Sequence, residues 1–230
     1  MTLRSLIAIA AVVLSAAPVA AQTPANAPPA PIAIAALPQV TLDTDLGPVV
    51  VELDTVHAPV TAANFLRYVT EKRFDGTSFY RAVNVAQGYG LVQGGTQGDP
   101  RKTLPPIAHE PTTATGLTHS DATLSMARAA PGSATGDFFI IVGNLPSLDA
   151  GPTDTAGTGD TLGFAAFGRV VEGMDIVHRI LAAPTSPTAG EGAMRGQMLA
   201  PRVTIRSARV TPEKRDSSSS IATPAAEPAR

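Results

Sequence analysis

The chain has 230 residues, 44% of them hydrophobic but only 4% aromatic, with a formal net charge of −2 and no cysteine. That length can bury a substantial core, in one large domain or two small ones. The weak negative charge argues against a nucleic-acid binder, which needs a dense cationic face. The lack of cysteine excludes disulfides, thiolate chemistry, a lipobox anchor and any Cys-containing zinc site.

Taken in chain order, the N-terminus has the form of an export signal. Arg4 supplies a short positive region, Leu6 to Leu14 ("LIAIAAVVL") an apolar run, and Val19 and Ala21 the small residues before a cut. Cleavage is expected after Ala21, giving a signal at 1–21 and an exported protein. The run is too short for a span of about 20 apolar residues, so no membrane association is expected after cleavage. Residues 22–38, "QTPANAPPAPIAIAALP", hold five prolines and no period, which reads as a flexible extended leader. Residues 212–230 read as a disordered tail. One folded domain is expected over 39–211.

Within it, "VTLDTDLGPVVVELD" is two extended runs about Leu46-Gly47, a hairpin signal. Ala62, Phe65, Leu66 and Val69 fall on one face of a helix, with Pro59 just before it and Thr61 as its expected N-cap. Short apolar runs follow, split by Gly and Pro: Gly90 to Gln93, Leu124 to Ala127, Phe138 to Val142, and Phe164 to Val171. Met174, Val177 and Leu181 mark a second helix, and Val203 and Ile205 alternate with polar residues in a last strand. Many short strands and two helices predict an all-β (mainly β) sandwich or barrel, between which the pattern does not choose.

The chemistry begins with absences. No nucleophile elbow and no P-loop occur. The histidines, His57, His109, His119 and His178, do not stand at metal-ligand spacing, so no metal is expected. The Gly-rich piece "GPTDTAGTGDTLGFAAFG" lacks a following helix to hold an anion and reads as a surface loop. In "LSMARAAPGSATGDFFIIVG" a single carboxylate, Asp137, stands at the lip of an apolar strand.

Four segments in order carry a family resemblance: "LDTVHAPVTAANFLRYVTEKRFDGTSFYR", "FYRAVNVAQGYGLVQGG", "LSMARAAPGSATGDFFIIVG" and "FAAFGRVVEGMDIV". Together they resemble the cyclophilins of the bacterial exported type, from Val40 to about Val210. The resemblance implies a closed antiparallel barrel of eight strands with a helix capping each end. It implies peptidyl-prolyl cis-trans isomerase activity with no cofactor and no metal, proline-containing polypeptides as partners, a periplasmic location and a monomer. Arg81 matches the residue that donates to the prolyl nitrogen, and Gln93 the glutamine beside it. Leu91, Phe139, Leu148 and Phe164 match the walls of the proline pocket, and Ala127 and Arg128 the strip that bonds the peptide backbone. Asp137 stands where most members have glutamine, and a pair with Arg81 is expected. Tyr80 stands where many members have histidine, Tyr89 takes a shifted pocket-aromatic place, and Ser147 replaces the tryptophan of drug-sensitive members. A hydrolase lacks any nucleophile motif. Two readings stay open: an exported isomerase, and a catalytically weak binding module or chaperone of the same fold. The role of the insertion from Ala150 to Gly163 is open as well.

Overall fold

The structure, a computed structural model, describes residues 36–212; the expected signal, most of the leader and nearly all of the tail lie outside the described residues. Strands β1 (Gln39–Thr44) and β2 (Gly47–Leu53) form the expected hairpin, with Asp45 and Leu46 at its turn. Helix α1 (Pro59–Thr70) leads to a second hairpin, β3 (Thr77–Ala86) and β4 (Tyr89–Gly95). A four-residue helix α2 (Thr112–Thr115) precedes β5 (Thr123–Met126) and β6 (Phe138–Val142). Then come β7 (Ala165–Glu172), α3 (Met174–Leu181), a two-residue β8 (Thr185–Ser186) and the long β9 (Met198–Val210).

The sheet runs β1-β2-β7-β5-β6-β4-β3-β9, and β9 pairs back onto β1, which closes it. Every pairing is antiparallel, and β8 is a short addition on β9. The architecture is therefore a closed eight-stranded barrel. Closure removes sheet edges, and it decides between the two architectures the pattern left open. The helix count differs from expectation by α2, which is too short to show a period.

The low aromatic content understates how the core is built. Of the seven phenylalanines, Phe65, Phe74, Phe79, Phe138 and Phe167 are fully buried inside. Phe65, from α1, plugs one end of the barrel, its ring 5.0 Å from Phe74, 5.3 Å from Phe138 and 5.4 Å from Phe167. In α3, Ile176, Val177, Ile180 and Leu181 are buried while His178 is exposed.

The start of α1 corrects one expectation. Thr61 is not the cap: the helix begins at Pro59 after Ala58, which offers no side-chain bond. The orphan donors are met from elsewhere. The Glu110 carboxylate accepts from Val60 N (3.1 Å), Thr61 N (2.8 Å) and Thr61 Oγ1 (2.6 Å). An anion at a helix N-terminus satisfies free N–H groups and complements the helix dipole. Glu110→Ala is therefore expected to lower stability by about 1–2 kcal/mol, and Glu110→Gln, which keeps an acceptor, by less. Urea denaturation of the three proteins checks the order.

Candidate active site

Phe79 and Ala82 both lie in the main core although three positions separate them. Uninterrupted alternation would put them on opposite faces of the strand. A register shift against β4 absorbs the difference: Phe79 pairs with Gly94 and Arg81 with Gln93, leaving Tyr80 as the extra residue of a bulge. The bulge turns Arg81 to the outer face. There Arg81 Nη1 donates to Gln93 Oε1 (3.0 Å), while Nε and Nη2 both donate to Gln197 Oε1 (2.8 and 2.6 Å). Burial lowers the pKa of the guanidinium, but an arginine remains charged. Burial first, then the charge of Asp137, raises the Tyr80 phenol well above its ordinary value, so it stays neutral.

Gln93 is also the register partner of Phe139 on β6, so Arg81, Gln93 and Phe139 occupy one rung across β3, β4 and β6. Phe138 points into the barrel and Phe139 out of it. Phe139, Ile141 and Leu145 form a second apolar cluster, against which Tyr89, Leu91, Ala127, Leu148 and Phe164 pack. The Phe139 and Phe164 rings meet edge to face with centroids 5.3 Å apart. The five apolar residues singled out from the sequence thus come together, joined by Ile141, Leu145 and the shifted Tyr89. Ser147 is exposed in the 3₁₀ turn Pro146–Leu148.

Beside the rung lies a cavity of about 450 Å³ whose lining includes Tyr80, Gln93, Ala127, Arg128, Asp137 and Met198. Asp137 corrects a second expectation: among the described residues no ion pair joins it to Arg81. Its Oδ1 accepts from Gln97 N at 2.8 Å instead. Gly95 permits this, because its φ is +129° and a Cβ there would collide with the Gly136 carbonyl and the Asp137 carboxylate. Arg128 is also committed elsewhere. Its side chain is 1% exposed, forms a two-point pair with Asp160 (2.8 Å each), donates to the Gly163 carbonyl and lies 5.5 Å from the centre of the Phe164 ring. Only its main chain is left to face the cavity, and its side chain instead fastens the Ala150 to Gly163 insertion.

Two participants carried no sequence signal. Gln197 stands 116 residues from Arg81 in the chain. Buried His119 stacks on Phe139 at 6.0 Å, with Nδ1 2.6 Å from Asp149 Oδ1 and Nε2 2.9 Å from Ser125 Oγ. Burial lowers its pKa against the raising effect of Asp149. Ser125, His119 and Asp149 have the residue types of a hydrolytic triad, but Ser125 is 0% exposed and no substrate can reach it. The chain of bonds braces Phe139 from behind. Among the described residues no three of His, Asp and Glu gather as a metal-binding group.

The family described as cyclophilin type peptidyl-prolyl cis-trans isomerase/CLD matches residues 39–210. A peptidyl-prolyl cis-trans isomerase of Acinetobacter baylyi is 38% identical over 151 residues, which is 64% of this chain and 73% of that protein. One from Streptomyces antibioticus is 38% identical over 154 residues (66% and 87%), and isomerase B of Escherichia coli 36% over 149 (64% and 85%). Among solved structures, a cyclophilin-type isomerase of Cryptosporidium parvum superposes with a TM-score of 0.60 at 18% identity, covering 76% of this chain and 98% of that one. A closed barrel, a guanidinium and an apolar cluster on one rung, and a family match over the whole folded region lead to one conclusion: the chain belongs to the cyclophilin-type peptidyl-prolyl cis-trans isomerases.

Proposed function

We propose that this isomerase works on X–Pro bonds of exported proteins by donation from Arg81 to the prolyl nitrogen. The observation that carries the reading is the shared rung of Arg81, Gln93 and Phe139, which puts a fixed cationic donor beside an apolar floor. The uncatalysed bond turns against a barrier of about 18–20 kcal/mol set by amide resonance. As the bond twists, the nitrogen regains its lone pair. A donor aimed there binds the twisted state better than either planar one, which is the requirement for catalysis. No covalent step and no cofactor are called for.

In this reading the proline ring packs on Leu91, Phe139, Leu148 and Phe164. Gln93 holds the guanidinium and meets the peptide, and the backbone of Ala127 and Arg128 pairs with it along the cavity that Asp137 borders. A second solved Cryptosporidium parvum structure, with a TM-score of 0.58, was obtained in the presence of an Ala-Pro dipeptide, in line with a site for proline-containing peptides. Export is supported by Arg4, the Leu6 to Leu14 run and the small residues ending at Ala21. We place the protein in the periplasm as a monomer.

Arg81→Ala is expected to lower kcat/KM on a proline tetrapeptide by about a hundredfold or more, the usual loss for one preorganised donor. A protease-coupled assay checks it; equal rates for variant and wild type would favour the binding-module reading. Cyclosporin is expected to bind weakly because Ser147 offers no indole, and a nanomolar Kd by calorimetry would contradict this. Burial raises the Asp137 carboxyl above its ordinary value of 3.8, against the lowering effect of the Gln97 and Thr96 amides. A carboxyl whose folded pKa is raised costs stability as pH climbs through the unfolded and then the folded pKa. Asp137→Asn should therefore gain stability relative to wild type between acid and neutral pH. Urea midpoints of both proteins at the two conditions check this, and a constant difference would refute it.

A further inference from the structure

We propose that Gln197 is a positioning residue that sets the direction in which Arg81 donates; this rests on the reading of Arg81 given above. The main chain of Gln197 is tied to β3 right beside the arginine, since its carbonyl accepts from Ala82 N at 2.9 Å, and its own N–H donates to Met194 O at 3.1 Å. The side chain is therefore delivered from a fixed base. Its single amide oxygen takes two N–H groups of the guanidinium edge, Nε–H and one on Nη2, at 2.8 and 2.6 Å. Gln93 takes a third, on Nη1, at 3.0 Å.

A guanidinium carries five N–H donors in one plane. Three are held by the two glutamines, so two remain, one on each terminal nitrogen. Contacts on two different edges fix both the position and the roll of the plane. Gln93 alone, holding one donor, leaves the group free to turn about that bond. Gln197 removes that freedom and leaves the terminal edge for a substrate. It does so as a neutral acceptor, so the guanidinium keeps its full charge; a carboxylate in its place would hold the fork but take up part of that charge. Its place just before β9 makes the loop between α3 and β9 part of the catalytic apparatus. No sequence motif marks that loop.

The test uses Gln197→Met, close in length and without the amide oxygen, and Gln197→Glu, which retains an acceptor. Gln197→Leu serves as a second non-acceptor should the methionine variant fail to fold. For Gln197→Met the expectation is a kcat about tenfold lower with KM nearly unchanged, as follows when the donor is present but misdirected. Loss of the slowly exchanging Arg81 Nε–H signal in proton–nitrogen NMR, assigned by its absence in Arg81→Ala, is expected alongside. Gln197→Glu should keep that signal and lie between wild type and Gln197→Met in kcat. A wild-type kcat in Gln197→Met, an unchanged Nε–H signal, or a Gln197→Glu no better than Gln197→Met would overturn the proposal while leaving the role of Arg81 intact. Wild-type activity in Arg81→Ala would bring down that role itself, and this inference with it.

Discussion

The site depends on one extra residue in one strand. Without the bulge at Tyr80, alternation from Phe79 would carry Arg81 into the barrel. A guanidinium among Phe65, Phe79 and Phe138 would lie unpaired in an apolar interior, at a cost far above what a marginally stable domain can absorb. With the bulge, Phe79 and Ala82 both stay inside and the cation comes out. The same phase change keeps the core dry and gives the outer face its charge. The core and the candidate site are thus two results of a single register, which explains how an outward-facing arginine can grow directly out of a core strand.

An outward face on a barrel strand is normally polar, yet β6 puts Phe139 and Ile141 there. These side chains are almost wholly covered (Phe139 3% and Ile141 0% exposed) by the turn that brings Leu145 and Leu148, by Phe164 before β7, and by Tyr89 at the tip of the β3–β4 hairpin. The apolar surface that stays accessible belongs to the partly buried residues around them, Tyr89, Leu91, Ala127, Leu148 and Phe164. The cover itself needs holding, and buried polar bonds do it. His119 links Asp149 to Ser125 behind Phe139, and Arg128 links Asp160 and the Gly163 carbonyl beside Phe164. Nearly complete burial of the Arg128 side chain is tolerable because both ends of its fork are occupied. The insertion after Leu148 is therefore fastened at the pocket wall.

What could be read from residues alone follows from how local each signal is. The α1 face shows because Ala62, Phe65 and Val69 repeat at the helical period. Phe138 and Phe139 show as a strand because five apolar residues run together between polar neighbours. Arg81, Gln93 and Phe139 could be paired in advance only through a family resemblance, since the register that aligns them depends on the bulge. Partnerships that hide are those whose acceptor comes from afar or from the main chain. The α1 cap is Glu110, and 49 positions separate it from Thr61. Asp137 bonds backbone amides, which every residue type has, so the resemblance, which sets it at the glutamine position near the arginine, pointed wrongly to Arg81. Gln197 is a polar residue in a Gly-rich loop with no period, and α2 and β8 are too short to leave one.

The electrostatic arrangement explains why these misread partners matter. A cationic donor in a half-buried cleft loses much of its effect if a carboxylate neutralises it. The carboxylates around the cavity and the Phe139 cluster are engaged with other groups: Asp137 with the Gln97 amide, Asp160 with Arg128, and Asp149 with His119. The groups that do touch Arg81 are two uncharged amides, Gln93 and Gln197. Neutral acceptors orient a guanidinium while leaving its charge whole, and low local polarity then increases the field at its free edge. That division of labour, with amides on the arginine and backbone, arginine or histidine partners on the acids, leaves two N–H groups of the Arg81 guanidinium without a hydrogen-bond partner among the described residues, on the rung it shares with Phe139.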